Sequence, residues 1–104
     1  MQQCNQVIAI AHATICPDNG PDEGKLLALE YSLRCITGSE GEDLYGLRVD
    51  KRYPSGVLIE REETSALTGS LDEATALAEA FATGTVPPCV LLEMVDEWHE
   101  VFCS

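Results

Sequence analysis

The hydrophobic pattern changes its period once along this chain, and that change constrains the fold more than any other feature. Between residues 27 and 35, apolar side chains alternate with polar ones, which is typical of a β-strand with one buried face. From Leu71 onward, apolar residues recur at helical spacing instead, which is typical of an amphipathic helix. The sequence therefore predicts strands followed by helices, the order expected of an α+β domain.

Four strands are expected, over residues 5–15, 27–35, 45–50 and 57–62. In the first, Val7 has the opposite parity to Ile8 and Ile10, so the alternation is imperfect. The turns at residues 38–43 and 53–56 are short, and short turns join antiparallel neighbours because parallel pairs need long crossovers. Residues 1–104 are thus predicted to form a single α+β domain, with an antiparallel four-stranded meander sheet followed by two helices packed on one face.

The first helix is predicted over Leu71–Thr83. Ser70 and Glu73 can form a capping box, in which each residue's side chain accepts from the other's backbone amide. Gly84 stands where the residue after a helix belongs, and Pro88 suits the first turn of a second helix. The strand faces and helical stripes are expected to close on one core, made of Leu29, Tyr31, Leu33, Tyr45, Leu47, Val57, Ile59, Leu77, Phe81, Leu91, Val95 and Trp98.

Charge is segregated along the chain. All six basic residues lie between Lys25 and Arg61, whereas nine of the 18 acids follow Arg61, and the formal net charge is −12. A surface this acidic repels phosphate backbones, and affinity for nucleic acid depends heavily on Lys and Arg. We therefore expect no nucleic-acid partner.

The sequence predicts a cytoplasmic protein with no membrane partner. No segment approaches the roughly 20 apolar residues that a membrane span needs. The apolar run at residues 7–13 is broken by His12 and has no Lys or Arg ahead of it, which argues against a secretion signal. The five cysteines show no C-x-x-C spacing. Cys35 and Cys89 fall on apolar faces, so they are predicted to be buried, reduced thiols.

Candidate catalytic and metal-binding groups each have a simpler explanation. Cys4, His12 and Cys16 carry suitable donors for zinc, but the sequence favours the simpler explanation of a solvent-exposed histidine and two incidental thiols. A nucleophilic thiol beside His12 or His99 would need surroundings that lower its pKa, and acids surround His99. Residues 38–42 contain glycine but no P-loop lysine, so they are predicted to be a hairpin turn. No catalytic, cofactor-binding or metal-binding residue is predicted, and no cofactor.

One surface feature remains as a candidate protein-binding site. We use "acidic stripe" for a set of carboxylates that helical spacing places on one face of the second helix: Glu93, Asp96, Glu97 and Glu100. The stripe is either a solvated face that keeps the domain soluble or a docking surface for a basic protein. Weak binding of a divalent cation is a third interpretation.

Several short motifs resemble a small uncharacterised protein family of Clostridia and related Firmicutes. They run from Leu29 to Trp98: Leu29-Glu30-Tyr31, Leu44-Tyr45-Gly46-Leu47, Glu60-Arg61-Glu62-Glu63, Val86, Pro88, Leu91 and Glu93-Met94-Val95-Asp96-Glu97-Trp98. The resemblance implies a bacterial cytoplasmic setting and a compact α+β domain. It implies no activity, because this is a family of unknown function.

The function that the sequence favours is a non-enzymatic protein–protein interaction or regulatory module, with a basic protein as partner. Two alternatives stay open. One is an acidic decoy that mimics nucleic acid to occupy a basic protein, and the other is a small enzyme or metal-binding protein whose site has no recognisable motif. The sequence also leaves homo-oligomerisation open.

Overall fold

Four antiparallel strands form one sheet in chain order, followed by two helices. The computed structural model describes residues 6–18 and 20–103, with side chains described as far as residue 97. The strands are β1 (Val7–Ile15), β2 (Leu27–Thr37), β3 (Asp43–Arg52) and β4 (Leu58–Glu63), and the helices are α1 (Leu71–Thr83) and α2 (Leu91–Cys103). A short 3₁₀ turn, Pro88–Val90, precedes α2. The predicted α+β meander with two helices packed on it is confirmed.

A β-bulge explains the imperfect alternation in β1. Ala9 lies opposite Ser32 and Ala11 lies opposite Tyr31, so Ile10 is the extra residue. An extra residue shifts every later side chain to the other face of the strand. Because of this shift, the side chains of Ala11, Ala13 and Ile15 face the core and pack against it.

The core lies between one face of the sheet and the two helices. The predicted members found buried are Leu29, Tyr31, Leu33, Leu47, Leu77, Phe81, Leu91 and Val95. Tyr45 packs against them half-buried, and the side chain of Trp98 lies outside the described residues. Val49 and Val86 also belong to this cluster.

None of the helices in the described part of the chain is both long and apolar enough to cross a membrane.

The prediction that Val57 belongs to the core is wrong. Val57 is 58% exposed because it closes the hairpin before β4, where its carbonyl accepts from the Tyr53 amide at 3.0 Å. A second irregularity, between Lys51 and Arg52, then shifts the register of β4. Ile59 is only half-buried as a result, and Arg61 pairs opposite Asp50.

The cysteine predictions are also wrong in part. Cys35 is buried as expected, but it is disulfide-bonded rather than reduced. Cys89 is free but exposed, as is Cys16. Because stable disulfides are rare in the cytoplasm, the cysteines no longer favour that compartment.

The N-terminus of α1 is capped by Ser70, as predicted. Its hydroxyl accepts from the Glu73 amide at 3.1 Å. The reciprocal half of the capping box is absent, because the Ser70 amide donates to the Thr68 hydroxyl at 3.1 Å instead.

Ser70→Ala should lower the free energy of unfolding by about 1 kcal/mol, since it leaves one amide of the first helical turn without a hydrogen-bond acceptor. Urea unfolding would measure this, and an unchanged midpoint would show that water replaces the cap.

The C-terminus of α1 differs from its prediction. Gly84 has φ −84°, and the left-handed residue is Thr85, with φ 49°. The Val86 amide donates back to the Phe81 carbonyl at 3.0 Å, which closes the helix. Val86 is thereby turned inward, and its carbonyl accepts from the Tyr31 hydroxyl at 2.7 Å.

Removing the Tyr31 hydroxyl should destabilise the domain, because the Val86 carbonyl is left unpaired beside a buried ring. We expect Tyr31→Phe to lower the free energy of unfolding by about 1–2 kcal/mol. A matched control is Tyr45→Phe, because the Tyr45 hydroxyl makes no hydrogen bond among the described residues; it should be near neutral.

The burial of Tyr31 should also make the stability of the fold depend on pH in the alkaline range. Burial raises the pKa of Tyr31 from 10.0 to about 12. A raised pKa in the folded state stabilises the fold below the unfolded pKa, and this contribution is lost as the pH rises from 10.0 to about 12. Wild-type stability should therefore fall more steeply than that of Tyr31→Phe in this window. Parallel slopes would contradict the burial of a neutral phenol.

Candidate functional site

The face of the sheet opposite the helices carries ionisable side chains from all four strands. One row crosses the sheet in register: His12 lies opposite Glu30, Glu30 opposite Asp50, and Asp50 opposite Arg61. Arg48 and Glu63 are paired in the next row. Strand alternation puts these side chains on this face, because their neighbours Tyr31, Leu47 and Val49 fill the core.

Asp50 is the centre of this face. Asp50 is only 1% exposed, and its carboxylate accepts hydrogen bonds from three guanidinium groups. Arg61 Nε lies 2.7 Å from Oδ1, Arg52 Nη2 lies 3.2 Å from Oδ2, and Arg48 Nε lies 3.4 Å from Oδ1. Burial by itself raises the pKa of Asp50, but the hydrogen bonds from Arg61 and Arg48 outweigh it, so the pKa lies below its ordinary value.

Every basic residue of the chain has a carboxylate partner. Beyond the three arginines on Asp50, Lys25 lies 3.7 Å from Asp22, Arg34 lies 3.3 Å from Glu63 and Lys51 lies 3.4 Å from Glu60. Arg34 also donates to the Thr64 carbonyl. The six bases thus share only four of the 18 carboxylates, and the other 14 account for the strongly negative net charge of the chain.

Those other carboxylates include the acidic stripe. Glu93, Asp96 and Glu97 are exposed, and none of them forms an ion pair within the described residues. The side chain of Glu100 lies outside the described residues. On α1, Asp72, Glu73 and Glu79 are exposed as well, and neither helix contains Lys or Arg. The helical layer therefore presents carboxylates and no compensating base.

The candidate metal site is not assembled among the residues that the structure describes. His12 lies 3.3 Å from Glu30 Oε2, while Cys16 is an exposed free thiol and Cys4 lies outside the described residues. No group of three or more His, Cys, Asp or Glu side chains within the described ranges could hold a metal ion.

The glycine-containing residues 38–42 form the turn between β2 and β3, as predicted. In this turn the Glu42 carboxylate accepts a hydrogen bond from the Glu40 amide at 3.0 Å.

The Asp50 cluster was missed by the sequence analysis, although part of its signal was present. Arg48, Asp50 and Arg52 alternate along one strand and must share a face. The third guanidinium could not be placed, because the irregularity between Lys51 and Arg52 decides which face Arg61 takes.

Comparison with known proteins finds one family and no individual relative. A family of unknown function, DUF6514, matches residues 13–101, which extends beyond the motifs noted between Leu29 and Trp98. No curated protein and no solved structure matches this chain. The match covers most of the sequence, so this chain is a member of the DUF6514 family.

Proposed function

We propose that this protein is a non-enzymatic interaction module whose acidic helical layer docks a basic partner protein. One observation carries the proposal: each of the six bases is already paired with a carboxylate, whereas Glu93, Asp96 and Glu97 have no ion-pair partner among the described residues. The charge that α2 offers to a partner is therefore negative.

The position of these carboxylates favours docking over simple solvation. They lie on α2, whose buried side holds Leu91 and Val95 in the core, so the helix is anchored and its exposed face is rigid. Because the helix backbone is already ordered, docking on it costs no backbone ordering, and only the exposed side chains lose freedom. Complementary charges of this kind mainly accelerate association and fix specificity, and their effect weakens with salt.

The test uses two variants with the same change in net charge. The helix variant carries Glu93→Gln, Asp96→Asn and Glu97→Gln. The control variant carries Asp18→Asn, Glu23→Gln and Glu40→Gln, three exposed acids outside the helices. An oligolysine peptide serves as the probe, its affinity is measured by calorimetry, and its footprint is mapped by NMR amide shifts.

We expect the peptide to bind on α2 and the helix variant to lose about tenfold in affinity, equivalent to about 1.4 kcal/mol. The control variant should lose much less. Equal losses in both variants would contradict the proposal, because net charge alone would then account for binding. Both variants should be at least as stable as the wild type, since each relieves like-charge repulsion.

A further inference from the structure

The two edges of the sheet are protected to very different degrees. β4 forms one edge and is short, with six residues, of which Glu60, Arg61, Glu62 and Glu63 are charged. β1 forms the other edge and has nine residues, none of them acidic, basic or proline apart from the single His12. Short length and charged side chains are the usual means by which a protein prevents an edge strand from pairing with another chain. β1 lacks both, and only its bulge interrupts it.

The outer side of β1 has no strand partner among the described residues. The sheet order places β2 on one side of β1 and no strand on the other. Val7 and Ile8 are 45% and 46% exposed at its start. After the bulge, residues 11–15 run opposite β2 without further irregularity. This leaves a regular segment whose outward backbone groups can pair with a second strand.

We propose that β1 pairs antiparallel with β1 of a second copy of this chain across a two-fold axis, which makes one continuous sheet through both copies. Two-fold pairing brings the same surface of each copy together, as in most homodimers. Val, Ile and Thr dominate the strand and favour pairing in a sheet.

The lack of carboxylates, Lys and Arg on β1 favours a second copy as the occupant. β2, β3 and β4 all contain acids together with Lys or Arg, whereas the one ionisable residue of β1 is His12. A charged strand from another protein would find no opposite charge on β1. Self-pairing, by contrast, places no carboxylate opposite another, and the nearest acid on β2, Glu30, is held by His12 at 3.3 Å.

The salt dependence of this dimer has the opposite sign to that of a docked basic partner. Each copy carries a net charge of −12, so two copies repel each other at long range. Added salt screens that repulsion, and the dimer should become tighter. Docking on the acidic helical layer should become weaker under the same conditions, so the two proposals fail independently.

The experiment measures the monomer–dimer equilibrium by analytical ultracentrifugation, from about 0.01 M to about 1 M NaCl, over which the Debye length falls from about 30 Å to about 3 Å. Thr14→Lys places a charge on the exposed side of β1, and Val7→Lys places one at its start. Ser55→Lys is the matched control, because it makes the same charge change in the exposed hairpin between β3 and β4. Circular dichroism checks that each variant is folded.

We expect the wild type and Ser55→Lys to dimerise, with a dissociation constant that falls severalfold as salt rises. Thr14→Lys and Val7→Lys should be folded monomers at every salt concentration. Amide hydrogen exchange in β1 should slow as the wild-type protein is concentrated. A wild type that is monomeric throughout would overturn the proposal. So would a dimer that survives in both β1 variants, because its interface would then lie elsewhere.

Discussion

Replacing Asp50 by Asn should lower the free energy of unfolding by about 3 kcal/mol. The substitution keeps the shape of the side chain but removes the one negative charge that Arg48, Arg52 and Arg61 share. Breaking a buried ion pair by removing one partner typically costs about 3–5 kcal/mol, because the remaining charge stays uncompensated. The lower end applies here, since the arginine side chains are 19–36% exposed and solvent screens them in part.

Arg52→Gln is the matched control for this prediction. It removes one of the three cations and leaves Asp50 with bonds from Arg48 and Arg61. We expect a loss of about 1 kcal/mol or less, because a half-buried partner of a carboxylate that keeps two other arginines contributes little. Equal effects from Asp50→Asn and Arg52→Gln in denaturant unfolding would show that the carboxylate is not the centre of the cluster.

The Asp50 effect should also depend on pH. The pKa of Asp50 in the folded state lies below its ordinary value of 3.8. A depressed carboxyl pKa stabilises the fold above the unfolded pKa, and the contribution is lost as the pH falls through the folded-state value. The difference in stability between wild type and Asp50→Asn should therefore be constant near neutral pH and shrink below 3.8. A constant difference down to pH 2 would contradict the assigned cause.

The fold was largely predictable because its signals are local. The alternation from Leu27 to Cys35 and the helical spacing of Leu71, Leu77 and Phe81 each follow from neighbouring residues. The bounds of α1 were correct because Ser70 is a strong cap. Within the sheet, the pattern was hardest to interpret where one extra residue shifts a register, before Ala11 and after Lys51. A bulge is set by how strands fit together, and a single sequence carries little sign of it.

The candidate sites were predictable to unequal degrees for the same reason. The acidic stripe depends only on helical spacing, and the exposure of Glu93, Asp96 and Glu97 agrees with it. The Asp50 cluster depends on which residues of β4 lie opposite β3. The contrast between the two edges of the sheet also needed the strand order, since only that order makes β1 an edge. Long-range pairing thus separates what the sequence could predict from what it could not.

Gly46 is the position in β3 where no side chain fits. A Cβ atom there would lie 2.6 Å from the Ser65 carbonyl oxygen and 2.9 Å from the Thr64 hydroxyl. The backbone after β4 cannot easily withdraw, because it is bonded to β3 on both sides of this point. The Thr64 amide donates to the Leu47 carbonyl at 2.9 Å, and the Leu67 amide donates to the Tyr45 carbonyl at 2.8 Å. Close packing of backbone on backbone therefore requires glycine here.

We expect Gly46→Ala to lower the free energy of unfolding by about 2–3 kcal/mol, since overpacking forces a backbone shift. The shift would also strain the bond from the Leu47 amide to the Thr64 hydroxyl, which is 2.9 Å long and buried. Gly69→Ala is the control in the same region, because a Cβ there would meet Leu44 Cδ2 at 3.6 Å and the Asp43 carbonyl oxygen at 3.8 Å, both ordinary contact distances; it should be near neutral. Denaturant unfolding compares the two. If Gly46→Ala were as stable as Gly69→Ala, residues 64–68 could not be held against β3 as described, and the path that leads from the sheet to the Ser70 cap of α1 would have to be redrawn.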